Sequence, residues 1–307
     1  MRNVFVQLLM EEARRDPDLY LLTADLGFRA FEPFQEEFPD RFVNVGVAEA
    51  NMIGIAAGLA LSGKKVCVYS IAPFVTLRCL EQIRNNICHH NLNINLIGVG
   101  GGFSYGNQGI SHNTSEDLAV MRALPNMAVL CPGTRLEAEM ATKAMFGHSG
   151  PVYIRLGRAP ENDYYSTKQD YKLGDGLMVG DGQMVTLISV GNILEDSVLV
   201  AKELEASGIS TRVISFLGIK PINPEMILKA AQETKAIFTI EEHSEIGGLG
   251  GAVSEILMES AYSDLIFKRF ALTDECHIEI GSQKHLKKIH GLCADKIAED
   301  IKQILDK

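Results

Sequence analysis

Short runs of consecutive apolar residues, each followed by a stretch with helical spacing, fill the first half of the chain. Tyr20–Thr23, Phe42–Val45, Val66–Tyr69, Ile94–Val99, Met127–Cys131 and Val152–Leu156 are runs of strand length. Helical spacing covers about Ala48–Leu61, Leu80–Cys88, Ser115–Ala123 and Arg135–Ala144 between them. Strands without polar alternation that take turns with helices predict a mostly parallel sheet covered on both faces. From residue 159 the pattern fades. Asn, Asp, Tyr, Lys and Gly dominate to residue 183, a composition that reads as a connection with a short hairpin. A second set then begins, with strands at Met184–Val190, Thr211–Phe216 and Ala236–Glu241 and helices at Leu194–Ser207, Pro224–Glu233 and Gly250–Ser260. The expected architecture is α/β, with two doubly wound, mostly parallel-sheet domains over residues 1–165 and 184–307, joined by a linker at 166–183.

The chain's 307 residues suit two such domains at about 150 residues each. Twenty-nine basic against 39 acidic residues leave a net charge of −10. With no basic run, this argues against nucleic acid or an anionic membrane as a partner. No apolar stretch approaches the roughly 20 residues of a membrane span. The apolar run Val4–Met10 is followed directly by Glu11, Glu12, Arg14 and Arg15, which marks an amphipathic helix rather than a signal peptide. Six cysteines (67, 79, 88, 131, 276 and 293) are dispersed without a CxxC pair. They read as buried thiols of a cytoplasmic protein.

Candidate chemistry begins at residues 98–112, Gly-Val-Gly-Gly-Gly-Phe-Ser-Tyr-Gly-Asn-Gln-Gly-Ile-Ser-His. A glycine-rich loop after a strand lets backbone N–H groups and a ligand approach closely; the alternative is a surface loop. It is no dinucleotide fingerprint, because Phe103 stands at the third glycine, and the chain has no GxxxxGK[ST] loop. His112 precedes an expected helix start at which Thr114 and Asp117 form a capping-box pattern. A helix N-terminus disfavours imidazolium, so His112 is expected neutral near pH 7 and able to exchange a proton; a capping-region histidine without chemistry is the alternative. Gly248-Leu249-Gly250 opens a helix and reads as a strand-to-helix turn before an anion site. Cys88-His89-His90 are adjacent on a helix and point apart, so no metal site is assigned.

Glu49 is the most informative residue. No basic residue occurs between Arg41 and Lys64, and the helix that follows is apolar nearly all round, the pattern of a helix buried on every side. A carboxylate in such a place needs a hydrogen-bonding partner or a proton. It can act as a general acid or share a proton with a ligand nitrogen. Exposure at a helix N-terminus is the bland alternative.

Four ordered stretches then carry a resemblance: Arg41-Phe-Val-Asn-Val-Gly-Val-Ala-Glu-Ala-Asn-Met-Ile-Gly-Ile-Ala-Ala-Gly-Leu-Ala, Glu81-Gln-Ile-Arg-Asn, Gly109-Ile-Ser-His-Asn-Thr-Ser-Glu-Asp and Gly150-Pro-Val-Tyr-Ile-Arg-Leu-Gly-Arg. With Glu242-His-Ser-Glu-Ile-Gly-Gly-Leu-Gly-Gly-Ala-Val, they resemble the C-terminal half of the transketolase family, and most closely its split, stand-alone C-terminal subunits. The resemblance spans essentially the whole chain. It implies thiamine diphosphate as cofactor, bound between two subunits. Glu49 falls on the glutamate that hydrogen-bonds N1′ of the aminopyrimidine, and Phe74 on an aromatic that packs on that ring. A companion aromatic is replaced by Ala72-Pro73. His112 falls on a histidine contacting the substrate near the reacting carbon, and Arg2, Thr23 and Arg158 on positions of the acceptor's phosphate site.

Two positions depart from the family pattern. Gln108 stands where an aspartate recognises a sugar hydroxyl, and Gly100 where a histidine lies near the phosphate; a modified or unphosphorylated sugar would account for both. Gly174-Asp175-Gly176 and Gly180-Asp181-Gly182 lack the asparagine that completes the family's diphosphate motif and read as turns. The ligands of diphosphate and Mg²⁺ are therefore expected from a partner, an N-terminal transketolase subunit, in an α2β2 heterotetramer. The implied reaction transfers a two-carbon ketol unit from a ketose or ketose phosphate to an aldose. The alternatives are thiamine-dependent decarboxylation of a 2-oxo acid with transfer to an aldehyde, as in deoxyxylulose-phosphate synthase, and a catalytically silent assembly subunit.

Overall fold

The computed structural model describes residues 1–157, 164–165, 171–260, 262 and 265–306. Twelve strands are found among them: β1 (Leu19–Thr23), β2 (Phe42–Asn44), β3 (Lys65–Ile71), β4 (Ile94–Val99), β5 (Ala128–Leu130), β6 (Val152–Leu156), β7 (Gly176–Gly180), β8 (Val185–Val190), β9 (Thr211–Phe216), β10 (Gly218–Lys220), β11 (Ala236–Ser244) and β12 (Ile266–Leu272). They form a seven-stranded sheet in the order β10-β5-β6-β4-β3-β1-β2 and a five-stranded sheet in the order β12-β11-β8-β9-β7. All pairs are parallel except β10 with β5 and β7 with β9. The expected pair of doubly wound sheets is what the chain forms. Every residue of β4, β6, β8 and β9 is buried, as parallel strands covered by helices on both faces require.

The covering helices are held by one apolar stripe each. Helix Arg2–Arg15 buries Phe5, Leu9, Met10 and Ala13 and packs on helix Arg135–Gly147. Helix Ala294–Leu305 buries Ala294, Ile297, Ala298 and Ile301 against helix Leu194–Ala206.

Several readings of the sequence need correction. The residues assigned to a linker hairpin include β7, which pairs not locally but as an antiparallel edge to β9, some 35 residues on. β10 leaves the second unit to pair with β5, so the two sheets are stitched by main-chain bonds. The stretch Leu80–Cys88 starts as α-helix (Leu80–Gln82) and continues as π-helix (Ile83–Cys88). Helix Glu49–Leu61 is not buried all round. It buries Met52, Ile53, Ala56 and Ala57, while Asn51, Gly54, Gly58 and Leu61 are exposed and Val47, just before it, is 75% exposed. Its small residues give the open face an apolar composition without a core contact. Of the cysteines, Cys67, Cys79, Cys88 and Cys131 are buried, and burial pushes their thiols up to about 12, 12, 11 and 12. Cys276 is exposed in a polar segment, and Cys293, at the start of helix Ala294–Leu305, is half-buried.

Candidate active site

In an open parallel sheet, ligands sit beyond the carboxyl ends of the strands, where the strand order reverses. In the seven-stranded sheet that point lies between β1 and β3, since β2 flanks β1 on one side and β3 and β4 lie on the other. The register aligns Thr23 with Asn44 and Tyr69, and Ile71 with Val99, so four strands end at one level. The segments leaving those ends carry the candidate residues.

After β2 the chain turns through Gly46 into helix Glu49–Leu61, which places Glu49 in the first helical turn. Its carboxylate is only 2% exposed. The sequence offers it no basic residue nearby, but the fold supplies one: Arg78 Nη1 donates to Glu49 Oε2 at 2.7 Å. The partner comes from 29 residues downstream, beyond the local window. Arg78 lies four residues after Phe74 and follows the short helix Ala72–Val75 that continues β3. Its guanidinium lies over the Phe74 ring, 4.2 Å from the centroid, and its side chain is 45% exposed. A flat, hydrogen-bonding cation thus occupies the slot between Glu49 and Phe74.

The loop after β4 brings His112 against Phe74, with ring centroids 5.0 Å apart and edge to face. His112 Nδ1 is 2.9 Å from Ser111 Oγ. Burial, and secondarily the Arg78 charge, lower the pKa of His112 and favour neutral imidazole. The neutral state was expected from a helix N-terminus, and that cause is wrong. The helix spans Asp117–Ala123, its N-cap Glu116 makes no side-chain cap, and Thr114 bridges to Gly102. Asp117 is buried, accepting from Tyr153 Oη at 2.6 Å and Arg155 Nη1 at 3.3 Å.

Tyr105 extends the wall, 6.2 Å from His112 by ring centroids. Gly100, with φ of 80°, explains itself here: a Cβ at that position would run into the Tyr105 ring, which fills the space a side chain would take. Burial pushes Tyr69 up to about 12, and the nearby Arg2 charge works against it. Thr23 is fully buried beside Tyr69, and its hydroxyl has no hydrogen-bond partner among the described residues. Gln108 ends a 3-10 turn, Gly106–Gln108, and is exposed to solvent. Glu49, Phe74 and His112 are therefore brought together around Arg78, while Arg2 and Thr23 lie beside Tyr69. Arg158 lies outside the described residues.

Arg78, Tyr69 and Tyr105 escaped the reading of the sequence. The i, i+4 spacing of Phe74 and Arg78 was the available signal for the first. The other glycine sites are structural. Glu241 accepts from Leu249 N and Gly250 N at 2.7 Å each, so the helix start read as a strand-to-helix turn already holds an internal carboxylate where an anion would sit. Asp175 and Asp181 sit at the two ends of β7 and bind Asn223 and Arg212. Among the described residues no group of three or more His, Cys, Asp or Glu side chains is arranged to hold a metal ion, and no helix is long and apolar enough to cross a membrane.

An open parallel-sheet crevice with a buried carboxylate facing an aromatic defines a class, α/β proteins that take a flat ligand at a switch point, and comparison with known proteins gives the family. Residues 1–160 match the transketolase pyrimidine-binding domain and residues 174–297 the transketolase C-terminal domain. The 6-deoxy-6-sulfo-D-fructose transketolase subunit SqwH of a Clostridium species is 34% identical over 308 residues, covering 100% of this chain and 95% of that one. An apulose-4-phosphate transketolase subunit of Phocaeicola vulgatus is 38% identical over 261 residues, 84% of each chain. The solved structure described as a split gene transketolase, inactive beta4 tetramer, superposes with a TM-score of 0.87 at 34% identity, covering 98% of this chain and 96% of that one. The chain belongs to the transketolase family. It is a C-terminal chain of the split type, a subunit of a transferase.

Proposed function

We propose that this chain supplies the pyrimidine half of a thiamine diphosphate site, and that an N-terminal transketolase subunit supplies the diphosphate and Mg²⁺ ligands in an α2β2 assembly in the cytoplasm. The observation that carries this is the slot between Glu49 and Phe74. A buried carboxylate and a half-buried ring face one flat, hydrogen-bonding group, and Arg78's guanidinium has the shape and polarity of such a group. An aminopyrimidine fits the same two contacts, ring on ring and nitrogen on carboxylate. Thiamine diphosphate, when bound, supplies the electron sink for ketol transfer; the protein supplies position and electrostatics.

In this reading Glu49 holds the pyrimidine N1′ through its carboxyl group. Arg78, hinged at the surface, turns from Glu49 to admit the ring. His112, kept neutral, donates to or accepts from the substrate oxygen near the reacting carbon. Arg2, leaning on Tyr69, and Thr23 receive the far end of the sugar together with Arg158. Tyr105 fills the place of the family's histidine at Gly100, and Gln108 offers an uncharged amide in place of a carboxylate, so the sugar differs from the usual sugar-phosphate pair near those groups. The two named relatives support such a spread, one acting on a sulfonated ketose and the other on a phosphorylated one.

The test is co-expression with the N-terminal transketolase chain of the same source, followed by assay with ketose donors bearing phosphate, sulfonate or a free hydroxyl. Ketol transfer to an aldose without gas release is the expected result. Release of CO₂ from pyruvate would move the chain to the decarboxylating reaction, and assembly without either turnover would make it a silent subunit.

A further inference from the structure

The loop that delivers His112 starts and ends in the seven-stranded sheet's domain, yet its course is fixed by the other domain. Phe103, 2% exposed, leaves the loop and enters the core beneath the five-stranded sheet. Its ring stacks on His290 with centroids 5.3 Å apart and meets the edge of His277 at 5.7 Å. Phe103 N donates to Glu242 Oε1 at 2.6 Å. Glu242 is itself gripped by Gln283, whose Nε2 donates to the two carboxylate oxygens at 3.0 and 2.8 Å. Gly102, with φ of 61°, is pressed so closely that a Cβ there would lie 2.5 Å from Glu242 Oε1. Further along, Gly281 N donates to Gly106 O at 3.2 Å, and beyond the loop Ser244 N donates to Ser115 O at 2.7 Å. The loop's own closure is the pair of main-chain bonds between Gly102 and Thr114, at 2.7 and 3.1 Å.

The glycines here thus serve protein against protein. From this we infer that Glu242 is a positioning residue for the reaction: with Gln283 and the Phe103 socket it sets where His112 stands, so the C-terminal domain acts on the chemistry without touching substrate. A side chain misplaced by about 1 Å costs on the order of a hundredfold in rate, and the clamp is what holds this loop to a tighter tolerance. The effect on turnover rests on the transketolase reading of His112; the clamp itself does not.

The experiment uses the assembled, cofactor-loaded complex and the paired variants Glu242→Gln, Gln283→Glu and their double. In Glu242→Gln the amide oxygen still accepts from Phe103 N, but the NH₂ that replaces Oε2 faces the Gln283 NH₂, so the two-point hold from Gln283 and the carboxylate's charge are lost and the grip weakens. In the double variant the new amide oxygen at position 242 accepts from Phe103 N while its NH₂ donates to the new carboxylate at position 283, restoring the contact with roles exchanged. Two quantities are read: amide hydrogen exchange over residues 102–114, and kcat and KM for ketol transfer alongside thiamine diphosphate affinity. The expected result for Glu242→Gln is at least about tenfold faster loop exchange and about tenfold lower kcat, with cofactor affinity unchanged and both effects recovered in the double variant. Phe103→Leu, which empties part of the socket and leaves the polar grip, should give the same signature more weakly and serves if Glu242→Gln fails to fold. Wild-type exchange in these variants overturns the clamp, and faster exchange with unchanged kcat overturns its role in the reaction. Since exchange is read without substrate, a complex that lacks ketol transfer altogether counts against the proposed activity and leaves the clamp tested.

Discussion

The two sheets each have a switch point, and the protein treats them oppositely. In the seven-stranded sheet, the crevice beyond β1 and β3 is left as a wall of half-buried groups around Arg78. In the five-stranded sheet the equivalent crevice, beyond β8 and β11, is plugged by the neighbouring domain. Arg155, at the end of β6, pushes its guanidinium into it, donating to Glu242 O at 2.8 Å while Asp117 holds it from behind. Burial pulls that guanidinium toward neutrality, and Asp117 more than offsets the pull. Only about 10 Å³ is left between Arg155, Gly191, Asn192 and His243, the lower limit for a single water. Burial also pushes the carboxyls of Glu241 and Glu242 up, and the backbone N–H groups of Gly250, Leu249 and Phe103 work against it. Buried charge alone therefore does not mark a functional site. The seam's carboxylates are held by several buried donors, backbone N–H groups among them, whereas Glu49 is held by one arginine whose side chain is 45% exposed.

The largest expected effect breaks the comparison on the functional side. Glu49→Gln in the assembled complex should lower turnover by about 10²–10⁴-fold with assembly intact, measured by steady-state ketol transfer beside size-exclusion chromatography. On the structural side, Arg155→Met strands Asp117 as an unpaired buried charge and should cost about 3–5 kcal/mol in urea unfolding. Arg78→Met strands Glu49 less severely, because the pair opens to solvent. About 1–2 kcal/mol is expected, less at high salt.

The same substitution sharpens the assignment of His112, whose ring titration is readable by NMR. Its pKa is lowered by burial first and by Arg78 second, so Arg78→Met should raise it partway toward the ordinary 6.5. The sign for stability follows. The unfolded chain takes up this proton before the folded one, so the stability is full above pH 6.5 and declines as pH falls through that value toward the lowered one. The smallest effect concerns the thiols: a disulfide reagent should label Cys276 at once and Cys293 more slowly. Cys67, Cys79, Cys88 and Cys131 should react on unfolding.

Hydrophobic runs such as Ile94–Val99 and Val185–Val190 made the parallel sheets legible, because a strand buried on both faces has no polar positions to confuse the pattern. β10 was not legible, since three residues with one half-exposed lysine carry no period. β12 exposes Ile266, Lys268 and Arg269 along an edge, and the adjacent Lys268 and Arg269 break its apolar run. At the site, Glu49 and His112 stood out by type and context, and Phe74 only through the family resemblance. Arg78 did not, because its pairing with Glu49 spans a strand and a short helix and exists only in the fold. The glycine loop misled for the same reason: Arg155 and Glu242, which press on Gly101 and Gly102, come from distant parts of the chain that composition does not announce.

The central claim is that the Glu49 wall is half of a cofactor site completed by a second chain. Calorimetric titration of thiamine diphosphate with Mg²⁺ into this chain, into the N-terminal transketolase chain and into their complex tests it directly. The account predicts tight, stoichiometric binding to the complex, much weaker binding to either chain alone, and a loss of affinity in the complex with Glu49→Ala. Equally tight binding to this chain alone, or unchanged affinity with Glu49→Ala, would contradict it.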